Sequence, residues 1–270
     1  MLAMIASVIL DFSRGVWVCV LAQATRRYAV HERRYAQTLV SLACVRARFL
    51  NLLANRLNLD GPMAEITVDY YLAITSPWTF LGHDEFVQIA KDSGATVNVK
   101  PVDLGAVIEV SGGLPLPQRP VQRQRYRLFE LQRWRRRRNV PLNLHPAYFP
   151  ANHNLGNKAV LAASVAGGDA LTLAGELMRG IWCADKNVAD PAYIIETAAA
   201  IGMDGNAIVA AAESDEIERH YRALTEEAKV VNVFGAPTYV VNGEPWWGQD
   251  RLDFVREVLS GEVETLPEAT

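Results

Sequence analysis

The sequence predicts an α/β fold in which an all-helical domain is inserted into a sheet-bearing domain. Three observations carry this. Residues 66–101 read as strand, helix, strand; residues 152–229 repeat Ala, Leu and Ile at helical spacing; residues 233–258 read as a hairpin followed by a helix. A helical block lying between two strand-bearing segments is the pattern of an insertion into an α/β domain.

Each element has a local reason. Ile66–Leu72 is an apolar, β-branched and aromatic run, which predicts a buried strand. The stretch Asp69-Tyr-Tyr-Leu-Ala-Ile-Thr-Ser-Pro-Trp breaks at Ser76-Pro77. It then continues as a helix to Ser93 through His83, Phe86, Val87, Ile89 and Ala90. Serine before proline is an N-cap with proline at the first helical position. The Ser76 hydroxyl is thereby placed at a helix N-terminus, where unpaired N–H groups and the macrodipole favour an anion. A simple cap satisfies the same pattern. Gly94 stops the helix, and Thr96–Pro101 is a second strand, expected to pair in parallel through a right-handed crossover.

Gly105 to Pro120 is rich in Gly and Pro and is a candidate wall of a ligand site. Residues 121–139 form a helix ending in Arg133-Trp-Arg-Arg-Arg-Arg138. That run is read as a solvated helix face whose cations complement the C-terminal dipole, rather than as a nucleic-acid patch. Pro141 and Pro146 enforce a loop to Pro150. Asp190 and Asp204 look like helix starts, and 214–231 is a charged amphipathic helix leading back to the sheet. Thr238–Val241 is a strand, Asn242-Gly243 a hairpin turn and Pro245–Trp247 its return. Asp250 is expected to cap a last helix carrying Leu252, Phe254, Val255 and Val258. Pro237, just after Gly235-Ala236, fits a central strand only if its preceding bond is cis or the strand ends there.

Composition excludes more than it selects. Half of the 270 residues are apolar, 21% are charged and the formal net charge is −3, so no global attraction to nucleic acid or membrane is expected. Cys19, Cys44 and Cys183 stand far apart, without a C-x-x-C or a histidine at metal-ligand spacing. No metal site is expected, and a reducing cytoplasm is the simplest fit. The apolar runs Met1–Leu10 and Val16–Ala22 are each too short to span a bilayer, and no positive segment precedes them as in a signal peptide. Residues 1–62 are expected to be an extension, either not native or loosely packed, with an amphipathic helix over 34–57 as the alternative. The sheet domain is then 63–105 with 230–262, the helical domain 106–229 and the tail 263–270.

The element order β-α-β, helical insert, Gly-Ala-Pro, hairpin, helix resembles a thioredoxin-like domain with an inserted helical domain. Redox members of that fold carry C-x-x-C at the first helix N-terminus, facing a cis-proline loop. Here those positions are Ser76-Pro77-Trp78-Thr79. Thiol–disulfide exchange needs a protein thiolate, so dithiol oxidoreductase activity is set aside. A serine there is similar to the kappa-class glutathione transferases and the 2-hydroxychromene-2-carboxylate isomerases. The isomerase branch is resembled in particular, over roughly residues 65–260. The matching pieces are Val68-Asp-Tyr-Tyr, Ser76-Pro-Trp, Leu131-Gln-Arg-Trp134, Phe234-Gly-Ala-Pro-Thr238 and Trp246-Trp-Gly-Gln-Asp-Arg-Leu252. Ala73-Ile74 departs from the family, which often has an acidic residue before the serine.

The resemblance implies glutathione as a cofactor that is not consumed. It would lie beside Ala236-Pro237, the Ala236 N–H and C=O being left free to pair with its cysteinyl residue. Its γ-glutamyl end would meet Gln249 and the Asp250 carboxylate. The thiol would sit at Ser76, whose O–H donates to the thiolate and with the helix dipole lowers its pKa. The thiolate would add reversibly to a hydroxychromene carboxylate, allowing ring opening, rotation and expulsion to the trans-benzylidenepyruvate. Trp78, Trp134, Trp246 and Trp247 are candidates for stacking on this small aromatic carboxylate, with core packing as the alternative for each. Asn152 and Asn154 are candidates for polar contacts or caps, and no single arginine stands out for the substrate carboxylate. Two other readings stay open: a kappa-like transferase or peroxidase acting on other electrophiles, and a non-catalytic thioredoxin-fold binding module. The family's frequent dimers make a homodimer a candidate assembly.

Overall fold

Val68, Tyr70 and Leu72 alternate with Asp69 and Tyr71 along β1 (Thr67–Leu72), so the strand sends an apolar set to one face of its sheet and Asp69 with the buried Tyr71 to the other. A computed structural model describes residues 66–149 and 154–267. The expectations for residues 1–62 and for Asn152 lie outside the described residues. β1 pairs in parallel with β2 (Thr96–Pro101), Tyr70 beside Val99, across the helix α1 (Pro77–Ser93). On its other edge β1 pairs antiparallel with β3 (Thr238–Val241), which hairpins into β4 (Glu244–Trp247). The sheet order is β2-β1-β3-β4. Asn242 and Gly243 both take positive φ (49° and 86°), as a two-residue hairpin turn requires.

The helical segment runs through α2 (Leu104–Val110), a 3-10 turn (Leu116–Gln118) and α3 (Val121–Arg138). It continues through α4 (Asn154–Val165), α5 (Ala170–Ala184), α6 (Pro191–Ala200), α7 (Gly205–Ala212) and α8 (Asp215–Val230). Asp190 and Asp204 cap α6 and α7 as the sequence predicts, and Asp169 and Ser214 cap α5 and α8. The last helix, α9, spans Leu252–Leu259. Here the sequence expectation fails. Residues Gln249–Arg251 form a 3-10 turn, and Arg251, not Asp250, stands at the N-cap position of α9 with no side-chain cap bond, so Asp250 does not cap it.

One face of the sheet packs Tyr70 against Tyr239, near-parallel rings 5.3 Å apart, with Phe86 of α1 tilted onto both. The other face gathers Tyr71, Val102, Val107, Ala228, Val233 and Val240, which seats α2 and α8 on the sheet. At that face Lys100 bridges Asp69 (2.7 Å) and Glu227 (2.5 Å), and the Tyr71 hydroxyl donates to Glu227 (2.7 Å).

Two buried polar residues fasten the helices to the sheet. Asn157 of α4 is fully buried. Its Oδ1 accepts from the Ile74 N–H (3.1 Å), and its Nδ2 donates to the Val102 carbonyl (3.3 Å) and the Tyr221 hydroxyl (3.1 Å). His83 of α1 is the second. Its Nε2 meets the Leu171 carbonyl at 3.0 Å, and a carbonyl only accepts, so Nε2 carries the proton. Nδ1, at 3.2 Å, therefore accepts from the Tyr70 hydroxyl.

Burial holds the His83 imidazole below its ordinary value of 6.5; the Leu171 bond, Asp84 and Asp169 oppose this and Arg179 adds to it. The unfolded chain thus binds a proton near that value that the folded chain takes up only at lower pH. Stability from this residue is complete above about pH 6.5 and declines as pH falls through that value toward the folded pKa. Unfolding midpoints measured from neutral pH down to about pH 5 are expected to drop in the wild type. The drop is expected to be smaller in His83→Gln, and equal slopes would refute the assignment.

Candidate active site

The turn before α1 places Ser76 in extended conformation (φ −79°, ψ 119°), followed by proline at the first helical position. Its Oγ accepts the Thr79 N–H at 3.2 Å, which is the cap bond the sequence predicts. The same hydroxyl donates to the Ala236 carbonyl at 3.0 Å. Ser76 is 4% exposed, so both bonds are made out of bulk water. The carbonyl expected to be free at Ala236 is therefore engaged from within the protein.

Ala236 precedes a cis bond to Pro237, one of the two arrangements the sequence allows there. The loop is held on both sides: the Thr238 hydroxyl donates to the Gly235 carbonyl (2.8 Å), and the Gly248 N–H donates to the Pro237 carbonyl (2.9 Å). An added Cβ at Gly235 would stand 2.3 Å from the indole nitrogen of Trp247, so a side chain there would force that half-exposed ring to move. The Gly248 bond draws the Gln249–Arg251 turn up to this loop. The turn also abuts α1 directly, since a Cβ on Gly82 would lie 2.6 Å from that of Gln249.

Gln249 is 2% exposed and is fixed by an arginine that sequence reasoning assigned to solvent. Arg138, the last residue of α3, donates to the Gln249 side-chain oxygen (2.9 Å) and backbone carbonyl (2.9 Å). It also pairs with Glu85 of α1, which Arg256 reaches at 3.1 Å, and lies over the Trp134 ring at 5.3 Å. The signal was present but faint: a tryptophan four residues before an arginine shares its helix face, and a guanidinium stacks well on an indole. Arg136 and Arg137 are exposed, as the solvated-face reading expects.

The structure thus bonds Ser76 to Ala236, which precedes the cis Pro237, with Gln249 and Asp250 on the adjoining turn. Asp250 is exposed and pairs with Arg251 at 3.0 Å. The tryptophans divide. Trp246 is core, Trp78 and Trp134 are partly buried, and Trp247 is half exposed and packs edge-to-face with Phe234, ring centres 4.8 Å apart. Among the described residues, no helix is long and apolar enough to cross a membrane.

A parallel βα unit, an antiparallel hairpin behind a cis-proline loop, and a helical insertion define a thioredoxin-fold protein whose helix-end position holds serine rather than cysteine. The chain belongs to the DsbA-like thioredoxin domain family, whose model matches residues 67–260. It is similar to the 2-hydroxychromene-2-carboxylate isomerase of Sphingobium xenophagum, 26% identical over 72% of this chain and 97% of that one. It is likewise similar to the enzyme of that name from Pseudomonas putida, 28% identical over 73% of this chain and 95% of the other. A solved structure of a 2-hydroxychromene-2-carboxylate isomerase superposes with a TM-score of 0.61 at 25% identity, covering 73% of this chain and 95% of that one.

Proposed function

We propose that the protein is a glutathione-dependent isomerase of 2-hydroxychromene-2-carboxylate or a related aromatic carboxylate. The observation that carries the reading is the Ser76 hydroxyl, a buried donor at a helix N-terminus whose acceptor is a neutral carbonyl of the cis-proline loop. The names of the relatives supply the reaction.

The residues fit the cofactor. No cysteine shares the helix end, so the thiolate has to come from the ligand. Gln249 has its side-chain oxygen occupied by Arg138, which turns its amide nitrogen into the group on offer and suits a carboxylate. Bound glutathione would supply the nucleophilic thiol that makes a carbon–carbon double bond rotatable. The Ser76 hydroxyl would donate a hydrogen bond to the sulfur and so hold it as thiolate, helped by the α1 dipole. Ala236 would offer its N–H along the loop edge, and Asp250 would take an ammonium group. The burial of Ser76 keeps water from competing for its proton.

The test is spectral conversion of 2-hydroxychromene-2-carboxylate by the full chain with substoichiometric glutathione. Turnover that requires glutathione without depleting its thiol is expected. Conversion indifferent to glutathione, or stoichiometric loss of thiol, would overturn the reading, the second in favour of a transferase.

A further inference from the structure

Two helices of the fold have threonine as their third residue, and the two hydroxyls are used differently. In α5 the cap is Asp169 and the third residue is Thr172. The Asp169 carboxylate accepts from it twice, from the N–H at 2.9 Å and from the hydroxyl at 2.6 Å. In α1 the cap is Ser76 and the third residue is Thr79. Here only the first bond is made, from the Thr79 N–H to the Ser76 Oγ at 3.2 Å. Among the described residues the Thr79 hydroxyl has no hydrogen-bond partner, although Thr79 is fully buried. By contrast, the hydroxyls of Ser93, Thr197 and Thr225 each donate to a carbonyl in the preceding turn of their own helix.

A buried donor without an acceptor destabilises the fold that holds it. The acceptor it lacks is close by. Side chains lean toward the N-terminus of their helix, so a hydroxyl on the third residue stands over the cap. Thr172 shows that such a hydroxyl spans to the side-chain oxygen of the cap. A serine oxygen has two lone pairs. At Ser76 one of them takes the Thr79 N–H, while the proton goes to the Ala236 carbonyl. What separates the two caps is charge: that of α5 is a carboxylate, that of α1 a neutral hydroxyl. A serine oxygen whose own proton is drawn to an anion gains negative character and becomes the better acceptor.

We propose that Thr79 is a positioning residue, whose hydroxyl donates to the Ser76 oxygen once the Ser76 proton turns from the Ala236 carbonyl to an anion at the α1 N-terminus. The added bond strengthens Ser76 as a donor and fixes the direction of its proton. That the anion is the thiolate of glutathione rests on the function proposed above; the reach of Thr79 to a charged cap does not.

Thr79→Val, which keeps the shape and removes the hydroxyl, and Thr79→Ser, which keeps the hydroxyl, test this in the full chain. With Ser76 in place, Thr79→Val is expected to unfold at the wild-type temperature or above, because an orphaned donor is removed. In a Ser76→Asp background the α1 cap is charged like that of α5. There Thr79→Val is expected to lower the unfolding temperature at pH 7 by about 2–4 °C, and Thr79→Ser to leave it unchanged. If Ser76→Asp does not fold, Ser76→Asn offers a side-chain oxygen of the same reach and the same cycle is run there. Equal effects of Thr79→Val in the two backgrounds overturn the proposal.

The second arm is the titration of the ultraviolet thiolate absorbance of bound glutathione. Thr79→Val is expected to lower the thiolate fraction below its midpoint by roughly three- to tenfold, with kcat falling alongside and KM little changed, and Thr79→Ser to restore both. A titration unmoved by Thr79→Val overturns the proposal whatever the unfolding cycle shows. If the wild type binds no glutathione, the isomerase reading alone fails, and the unfolding cycle decides the role of Thr79.

Discussion

Ser76→Ala is expected to lower kcat by roughly 10²–10³, the usual cost of removing one donor aimed at a developing or fixed anion. The substitution deletes both the donor proposed for the sulfur and the acceptor for the Thr79 N–H. The pKa of the bound glutathione thiol should rise, visible as an upward shift in the titration of its ultraviolet thiolate absorbance. The structural cost is separate: a lost cap and a lost bond to Ala236 together amount to about 1–2 kcal/mol of stability, read by denaturant unfolding. A thiol titration unmoved by the substitution would remove the catalytic role and leave Ser76 as a cap.

Asn157→Ala is expected to have the larger effect on stability. Three groups lose their partner at once: the Ile74 N–H, the Val102 carbonyl and the Tyr221 hydroxyl. Each buried orphan costs about 1–3 kcal/mol, so a combined loss of about 3 kcal/mol is expected in denaturant unfolding, partly offset where the helices relax. Because the Ile74 N–H belongs to the turn that sets Ser76, activity should fall even where the variant remains folded. A loss under about 1 kcal/mol would mean that water takes over these bonds.

What could be read from the chain followed from residues with one strong local preference. Ser76-Pro77 declares a helix start, Asn242-Gly243 a tight hairpin, and Gly235-Ala236-Pro237 a loop unable to continue as an ordinary strand. These positions carry the skeleton of the candidate site, and the fold came with them. What could not be read depended on partners distant in sequence. Arg138 looks like any other residue of its basic run until Gln249, 111 residues away, supplies two acceptors. Asn157 sits among alanines in a helix and gives no sign that it closes a bond to Ile74. Asp250 invited the opposite error. An aspartate before an apolar helical run usually caps it, but the chain first makes a 3-10 turn and the helix begins two residues later.

The Ser76 hydroxyl has a single proton and already spends it on the Ala236 carbonyl. On the proposed function, an incoming sulfur would have to outbid a peptide oxygen, an intramolecular competitor that is always present at full effective concentration. A protonated thiol is a feeble acceptor and loses that contest. A thiolate wins it, since hydrogen bonds to an ionised partner are about twice as strong as neutral ones. If glutathione binds as proposed, selection between its two protonation states would be built into the protein before the ligand arrives, as the threshold set by one neutral bond.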